Sequence, residues 1–305
     1  MTILITGGAG FIGSHLADAY IAQGDTVHVI DNLATGSRKN VHGQVIFHDV
    51  DIRDLQQVNT VFAMARPELV IHAAAQASIP HSLVDPEYDF QVNVTGTEHL
   101  VKAAQATGSV KRFVNISTAG VLYGDQAARP TPETAVPVIS NPYVEHKMAA
   151  EAIVNAVTEF SVVTARLSNV YGPRQNPKTE AGVIGIFIEA LRDGRAPMIN
   201  GDGLQTRDFV FVSDVVRALQ LLGTSTESGV FHVSSSIETT VADLYQVIAS
   251  VMQSSVVPGH GPVKPHEQRY SCIDATRLRT VLAWQPEVVL HDGITQTVAA
   301  VVSEK

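Results

Sequence analysis

The sequence predicts an α/β protein: a doubly wound parallel sheet followed by a smaller, mixed α/β C-terminal lobe. Three observations carry this. Apolar runs without polar alternation, as in Thr2-Ile3-Leu4-Ile5-Thr6, Thr26–Ile30 and Leu69–His72, suit parallel strands buried on both faces. Stretches with apolar residues at helical spacing separate these runs, so strand and helix alternate as in βαβ units. After Leu167 the chain changes to helices and short strands around turns such as Asn200-Gly201-Asp202-Gly203. At 305 residues it has room for two domains, with the division expected at 1–170 and 171–305 and the segment 207–233 returning to the first.

The opening unit organises the rest. Gly7-Gly8-Ala9-Gly10-Phe11-Ile12-Gly13 follows the first strand at once, and both Gly8/Gly10/Gly13 and Gly7/Gly10/Gly13 satisfy glycine-loop spacings. Missing Cβ atoms there let backbone N–H groups approach a pyrophosphate at the positive end of the helix that begins near Phe11. Phe11, Ile12, His15-Leu16 and Ala19-Tyr20 form that helix's apolar stripe, and Gly24-Asp25 stops it. A second strand ends at Asp31, about 20 residues beyond the loop, where a carboxylate accepts from both adenosine ribose hydroxyls and repels a 2′-phosphate. A glycine pattern alone is weak; strand, turn, helix, strand and acid in order make a Rossmann-type site for NAD rather than NADP.

Asn32 to Ser37 reads as loop, and Gln44–Phe47 as a third strand. Asp51 and Ile52 follow where an adenine ring would lie. Asp54 caps a helix running through Met64, and the fourth strand ends in the small-residue turn Ala73-Ala74-Ala75. Small residues there suit either a dinucleotide lying on the chain or plain tight packing. Pro86–Ala106 has a long helical pattern that includes Asn93 and stops at Gly108. Lys111–Ile116 is the fifth strand, and Ser117-Thr118-Ala119-Gly120 stands at its carboxyl end, where open α/β sheets bind ligands.

Asn141 and Pro142 are an N-cap and a first helical residue, and they open a helix carrying Tyr143 and Lys147 at i and i+4 on one face. A nearby ammonium and the positive helix start both favour a phenolate, so the tyrosine pKa is expected to fall towards working pH, as a general base for an alcohol requires. Tyr-x-x-x-Lys alone is common on helix surfaces; the nucleotide loop and Thr118 at a strand end give it meaning. Phe160–Leu167 is the sixth strand, Ser168–Arg174 a loop, and Arg207–Val212 returns to strand character.

Composition narrows the function. Net charge is −9 with no basic run, which argues against nucleic acid or an anionic membrane as partner, so an anionic substrate needs locally placed Arg or Lys. No apolar stretch is long enough for a membrane span, and the first basic side chain is Arg38, which leaves a cytoplasmic protein as the expectation. The single cysteine, Cys272, excludes an internal disulfide, and the 12 histidines are scattered without a metal-site spacing, so no metal is expected.

In combination these motifs resemble the extended short-chain dehydrogenase/reductase (NAD-dependent epimerase/dehydratase) family, and within it the UDP-glucose (UDP-galactose) 4-epimerases. The motifs are T-G-G-A-G-F-I-G, D-I-R-D at Asp51–Asp54, S-T-A-G-V-L-Y-G at Ser117–Gly124, P-Y-V-E-H-K, S-N-V-Y-G-P-R-Q and G-D-G-L-Q-T-R-D-F-V-F-V from Gly201, and the likeness covers essentially the whole length. The resemblance implies NAD-dependent 4-epimerisation of a nucleotide sugar, UDP-glucose/UDP-galactose or their N-acetyl counterparts, through a 4-keto intermediate, by a homodimeric isomerase of carbohydrate metabolism. It makes Tyr143 the base, gives Lys147 the nicotinamide ribose, and puts Thr118, or Ser117 in its stead, on the reacting sugar oxygen. Asn169, Asn200, Arg207, Lys264, Arg269 and Ser271 would line the nucleotide-sugar site. The chain departs from the pattern at Ala119, where a third Ser or Thr is common, at Lys264, where an arginine often holds the diphosphate, and at Asn200, where an aromatic often stacks on uracil. Ser271 is small at a position that is bulky in epimerases restricted to plain hexoses.

Two other classes compete. Related 4,6-dehydratases and UDP-glucuronate decarboxylases place Asp-Glu or Ser-Glu after the strand-end hydroxyl, where this chain has Ala119-Gly120; a UDP-glucuronate 4-epimerase also belongs to this group. An NAD-binding sensor without chemistry has no need of Tyr143, Lys147 and Thr118 together.

Overall fold

The computed structural model describes residues 1–176, 182–263 and 268–303. In chain order the elements are β1 (Thr2–Thr6), α1 (Phe11–Ala22), β2 (Thr26–Asp31), β3 (Ile46–Asp49), α2 (Leu55–Ala65), β4 (Leu69–His72), α3 (Ile79–Val84), α4 (Pro86–Phe90), α5 (Gly96–Thr107), β5 (Arg112–Thr118), α6 (Pro142–Asn155) and β6 (Ser161–Leu167). They continue as β7 (Asn169–Tyr171), α7 (Val183–Arg192), β8 (Met198–Asn200), β9 (Thr206–Phe211), α8 (Val212–Thr224), β10 (Gly229–Val233), β11 (Glu238–Thr240), α9 (Val241–Val251), β12 (Gly259–Gly261), α10 (Thr276–Leu282) and α11 (Leu290–Ser303).

The main sheet has seven strands in the order β10-β6-β5-β4-β1-β2-β3, and β1 pairs parallel with both β2 and β4. The strand order therefore reverses between β1 and β4, and a doubly wound sheet opens its ligand crevice at the carboxyl ends beside such a reversal. Those ends carry Gly7 after β1 and Ala73 after β4. On one face, Leu4, Val70 and Phe113 of the strands pack with Val58 and Phe62 of α2, Leu100 of α5 and Val154 of α6. Each such side chain, fully buried, contributes roughly 1.5–3 kcal/mol.

The chain forms two compact units, Met1–Thr118 with Ile139–Arg166 and Val216–Phe231, and Ala119–Val138 with Leu167–Val215 and His232–Lys305. In the second unit β7 runs parallel to β9, which pairs antiparallel with β11, and β8 pairs with β12. Asp208 anchors it from within: the carboxylate accepts from the backbone N–H of Ser235, Ser236 and Ile273 at 2.9–3.1 Å.

Capping follows the sequence closely. Asp54 accepts from the Gln57 N–H at 3.0 Å, and Asn141 from the Val144 N–H at 3.0 Å. Two segments differ from expectation. The helical pattern over Pro86–Ala106 is not one α-helix: Gln91–Thr95 is a π-helical turn between α4 and α5. A π turn inserts one residue, which re-aims the side chains it carries, and Asn93 is one of them. The stretch Ser168–Arg174, expected as loop, contains β7, three residues long and too short to announce itself by alternation.

Candidate functional site

The glycine loop is held by contacts that leave no room for side chains. A Cβ on Gly7, whose φ is +69°, would lie 2.7 Å from the Ala74 nitrogen, and one on Gly13 would lie 2.2 Å from the Gly7 carbonyl oxygen. A Cβ on Gly8 would lie 2.5 Å from the Val29 side chain, so both glycine spacings read from the sequence mark crowded positions. Gly10 caps α1 without a side-chain bond, and the first turn, with Phe11 and Ile12, carries no acid. Its N–H groups thus keep their positive end for an anion, and the cradle fits a pyrophosphate. The stretch after β2, read from the sequence only as loop, braces the glycine loop: the Ser37 N–H and the Asn40 side chain both donate to the Ala9 carbonyl, at 2.9 and 3.1 Å.

Asp31 is buried and braces the same loop, accepting from the Ala9 N–H at 2.9 Å and the Leu33 N–H at 2.8 Å. Burial raises its pKa against those two backbone donors. A carboxylate has about four acceptor sites, so capacity for ribose hydroxyls remains. Asn32 donates to Asp51 at 2.8 Å, and Arg53 grips Asp51 through Nε at 3.0 Å and Nη2 at 2.7 Å. These bonds hold the Asp51 carboxyl down at about 2. Ile52 is a core residue, its side chain pressed on the Gly96 position.

Ala73, Ala74 and Ala75 follow β4, tied by the Ala73 N–H to the Thr6 carbonyl and the Ala74 N–H to the Thr6 hydroxyl. A directed chain continues from there. Thr97 donates its hydroxyl to the Asn93 carbonyl at 2.6 Å, so it accepts from His72 Nε2–H at 2.9 Å, and His72 Nδ1 accepts from Thr6 at 2.8 Å. Burial, with Lys147 nearby, pushes His72 down to about 3, and the imidazole is neutral as the chain requires. Asn93 in turn pins the loop after β4, exchanging two bonds with the Gln76 backbone at 3.2 and 3.0 Å.

Tyr143 and Lys147 lie on the buried face of α6. Lys147 donates to the Ile116 carbonyl at 2.8 Å, and the Thr118 hydroxyl acts on Tyr143 to favour its phenolate. The expected lowering of the tyrosine pKa is overturned. Burial pushes the phenol up to about 12, the Asp89 charge adds to this, and the Thr118 hydroxyl opposes both. Desolvating a phenolate outweighs the helix start and the ammonium. Burial also brings Lys147 down to about 8, against the raising effect of Glu151 and Asp89. Ser117, the alternative hydroxyl, is buried with no hydrogen-bond partner. Sequence reading missed Gln76, Asp89 and His146: Asp89, on α4, accepts from Gln76 Nε2 at 2.5 Å and bonds His146 Nδ1 at 2.6 Å. No spacing rule joins residues 57 positions apart.

In the second unit Asn169 Oδ1 is buried and unpartnered, 3.1 Å from where a Cβ on Gly120 would stand. Arg207 donates to the Thr206 carbonyl at 2.7 Å, and Arg269 pairs with Asp202 at 2.6 Å and reaches the Tyr270 hydroxyl at 3.1 Å. Asn200 ends β8, its carbonyl taken by Gln205. Ser271 is buried with its hydroxyl unpartnered. Lys264 lies outside the described residues.

Comparison with known proteins agrees with this geometry. Residues 3–233 match the NAD dependent epimerase/dehydratase family. A UDP-glucose 4-epimerase of Mycolicibacterium smegmatis is 40% identical over 98% of this chain and 97% of its own. UDP-glucuronic acid decarboxylase 2 of Arabidopsis thaliana is 32% identical over 96% of this chain and 66% of its own. Among solved structures, the UDP-glucose 4-epimerase of Thermotoga maritima with UDP-glucose superposes with a TM-score of 0.96 at 37% identity, covering 99% of both chains. That of Thermus thermophilus with NAD gives 0.93 at 36%, covering 100% of both. With its glycine cradle, its Asp31 brace and the Thr118–Tyr143–Lys147 group in place, the chain belongs to the NAD dependent epimerase/dehydratase family.

Proposed function

We propose that this protein is an NAD-dependent 4-epimerase that interconverts UDP-glucose and UDP-galactose. The observation that carries the reading is Tyr143 beside Lys147 on the buried face of α6, with Lys147 held by the Ile116 carbonyl two residues before Thr118, in a chain 40% identical along 98% of its length to a UDP-glucose 4-epimerase. Gly7, Gly10, Gly13 and the N–H groups of Phe11 and Ile12 take the pyrophosphate, Asp31 and Asn32 the adenosine ribose, and Asp51 and Ile52 border the adenine. Ala73–Ala75, Asn93 and Lys147 hold the nicotinamide half. Bound NAD supplies the reversible hydride acceptor that oxidation at the sugar C4 needs.

The chain's own residues handle the proton. Tyr143 Oη removes it from the 4-hydroxyl, Thr118 holds the 4-oxygen while charge develops, and Lys147 stabilises the phenolate electrostatically. The 4-keto sugar turns about its diphosphate linkage, and Tyr143 returns the proton once C4 has been reduced on its other face. Asn169, Asn200, Arg207, Lys264 and Arg269 hold the nucleotide; the unpartnered Asn169 oxygen supports this, since a buried acceptor without a donor costs about 1–3 kcal/mol unless a ligand satisfies it. Dehydration or decarboxylation is disfavoured by Ala119-Gly120, which offers no carboxyl beside Thr118.

A 2-acetamido sugar is a second reading, favoured by the small Ser271 and by likeness to a UDP-N-acetylglucosamine 4-epimerase of Methanobrevibacter ruminantium, TM-score 0.93 at 28% identity. A cytoplasmic homodimer built on α4–α5 and α6 belongs to the same proposal, supported by Leu83, Val84 and Phe90, 57%, 84% and 42% exposed, next to these helices. Incubation with UDP-glucose, UDP-galactose and their N-acetyl counterparts, with product identification, tests the reaction. Tyr143→Phe is expected to keep its fold and NAD while turnover falls by about 10²–10⁴; wild-type turnover in this variant would remove Tyr143 as the base.

A further inference from the structure

The carboxylate of Asp89 has no part in the reaction as described, yet it is wholly buried, and burying a charge is costly unless donors surround it. Its two oxygens are each engaged: Gln76 Nε2 donates to Oδ1 at 2.5 Å, and His146 Nδ1 meets Oδ2 at 2.6 Å. Gln76 is itself fixed by Asn93 of the π-helical turn through both backbone groups. Phe90 packs edge-on against the His146 ring at 5.3 Å. His146 directly precedes Lys147 and stands one helical turn beyond Tyr143. The clamp thus ties α4 and the loop after β4 to the helix that carries the base.

We infer that Asp89 is a positioning residue of the reaction proposed above, its buried carboxylate setting the charge balance of the Tyr143–Lys147 pair. This rests on Tyr143 being the base. The physical argument is one of sign: a fixed negative charge disfavours the phenolate and favours the ammonium. Both effects register, since the Asp89 charge raises Tyr143 and Lys147 alike. Of the charged and titratable groups on the surrounding elements, His146 on α6 faces Asp89 itself and offsets its charge only when protonated, Glu151 on α6 pairs with Arg166 on β6 at 2.7 Å, and His72 at the end of β4 is neutral. Asp89 therefore keeps a desolvated lysine charged, and it keeps the proton on Tyr143 until substrate gives that proton somewhere to go. An epimerase needs this balance because the same phenol takes the proton and gives it back.

Tyrosinate absorbance near 295 nm, titrated on the NAD-loaded protein and differenced against Tyr143→Phe, reads Tyr143 without any turnover. Asp89→Asn keeps the side chain's shape and removes the charge; it is expected to increase the Tyr143 phenolate fraction at a fixed pH by about threefold or more, and to move the acid limb of kcat to lower pH by the same factor. Gln76→Met keeps the charge and removes one donor from it, so Tyr143 should titrate at or above the wild-type pH. Should Asp89→Asn not fold, Asp89→Ser with the same difference titration replaces it, and Gln76→Met decides if that variant fails as well. A Tyr143 titration unchanged in the charge-removing variants, or moved alike in these and in Gln76→Met, overturns the inference. A Tyr143→Phe protein that still epimerises instead overturns the reading of the base, whatever the titration does.

Discussion

The glycine cradle and the Tyr143–Lys147 pair are the two ends of one proposed site, and they are built on different physics. At Gly7–Gly13 the determinant is distance: backbone atoms approach so closely that a single Cβ at Gly13 would meet the Gly7 carbonyl at 2.2 Å. At Tyr143 the determinant is a sum of opposing electrostatic effects, with burial and Asp89 raising the phenol and Thr118 lowering it. A steric site leaves its signature in which residues are missing side chains. An electrostatic site leaves it in surroundings contributed by different elements, here α4, β5 and α6.

Substitutions at each end sharpen the contrast. The largest effect expected is that of Gly13→Ala, where the added methyl displaces the loop: NAD is no longer retained, and the melting transition falls with a loss of several kcal/mol, read by cofactor content after gel filtration and by calorimetry. A protein that holds NAD as the wild type does would show that the loop yields, and the steric account would fail. Lys147→Met comes next and pulls in two directions. Folding pushes the lysine pKa from 10.5 to about 8, so the unfolded chain binds the extra proton and stability rises with pH through that window. At pH 7 the buried ammonium costs up to about 3 kcal/mol. The variant should therefore melt higher at neutral pH while losing turnover, and a lower melting temperature would contradict the burial argument.

Thr118→Val should reduce kcat by about 10², the order of one lost oxyanion-type donor, with KM changed less. Ser117→Ala is the smallest change: removing a buried hydroxyl without a partner is expected to alter stability by no more than about 1 kcal/mol, in the stabilising direction, and to lower kcat less than Thr118→Val does. If the two variants exchange effects, Ser117 is the catalytic hydroxyl.

Much of the nucleotide end was legible in the amino-acid sequence. The strand, the glycines, the helix and Asp31 are consecutive, and local rules of periodicity and missing Cβ atoms reach across such short separations. The caps at Asp54 and Asn141 were legible for the same reason. What escaped was either short or distant. Strand β7 has three residues, and the π turn at Gln91–Thr95 differs from an α-helix by one residue per turn, which an apolar pattern cannot resolve. The brace of Ser37 and Asn40 on Ala9 and the clamp of Asp89 on His146 join residues whose separation in sequence carries no periodic signal. The sign of the Tyr143 pKa was misjudged because helix position and a lysine at i+4 are local facts, whereas desolvation belongs to the whole surrounding core.

The amino-acid order by itself determined the parallel α/β architecture and the cofactor class, and it pointed to the proposed Thr118, Tyr143 and Lys147 group, since each depends on residues close together or on motifs at fixed spacing. Only the tertiary structure decided that burial outweighs the local charges at Tyr143, that the Ile52 side chain packs on Gly96, that His72 is a neutral link in a directed chain, and that a buried carboxylate bonds the residue next to Lys147. Those outcomes depend on which atoms water can no longer reach, and solvent exclusion is a property of the packed chain.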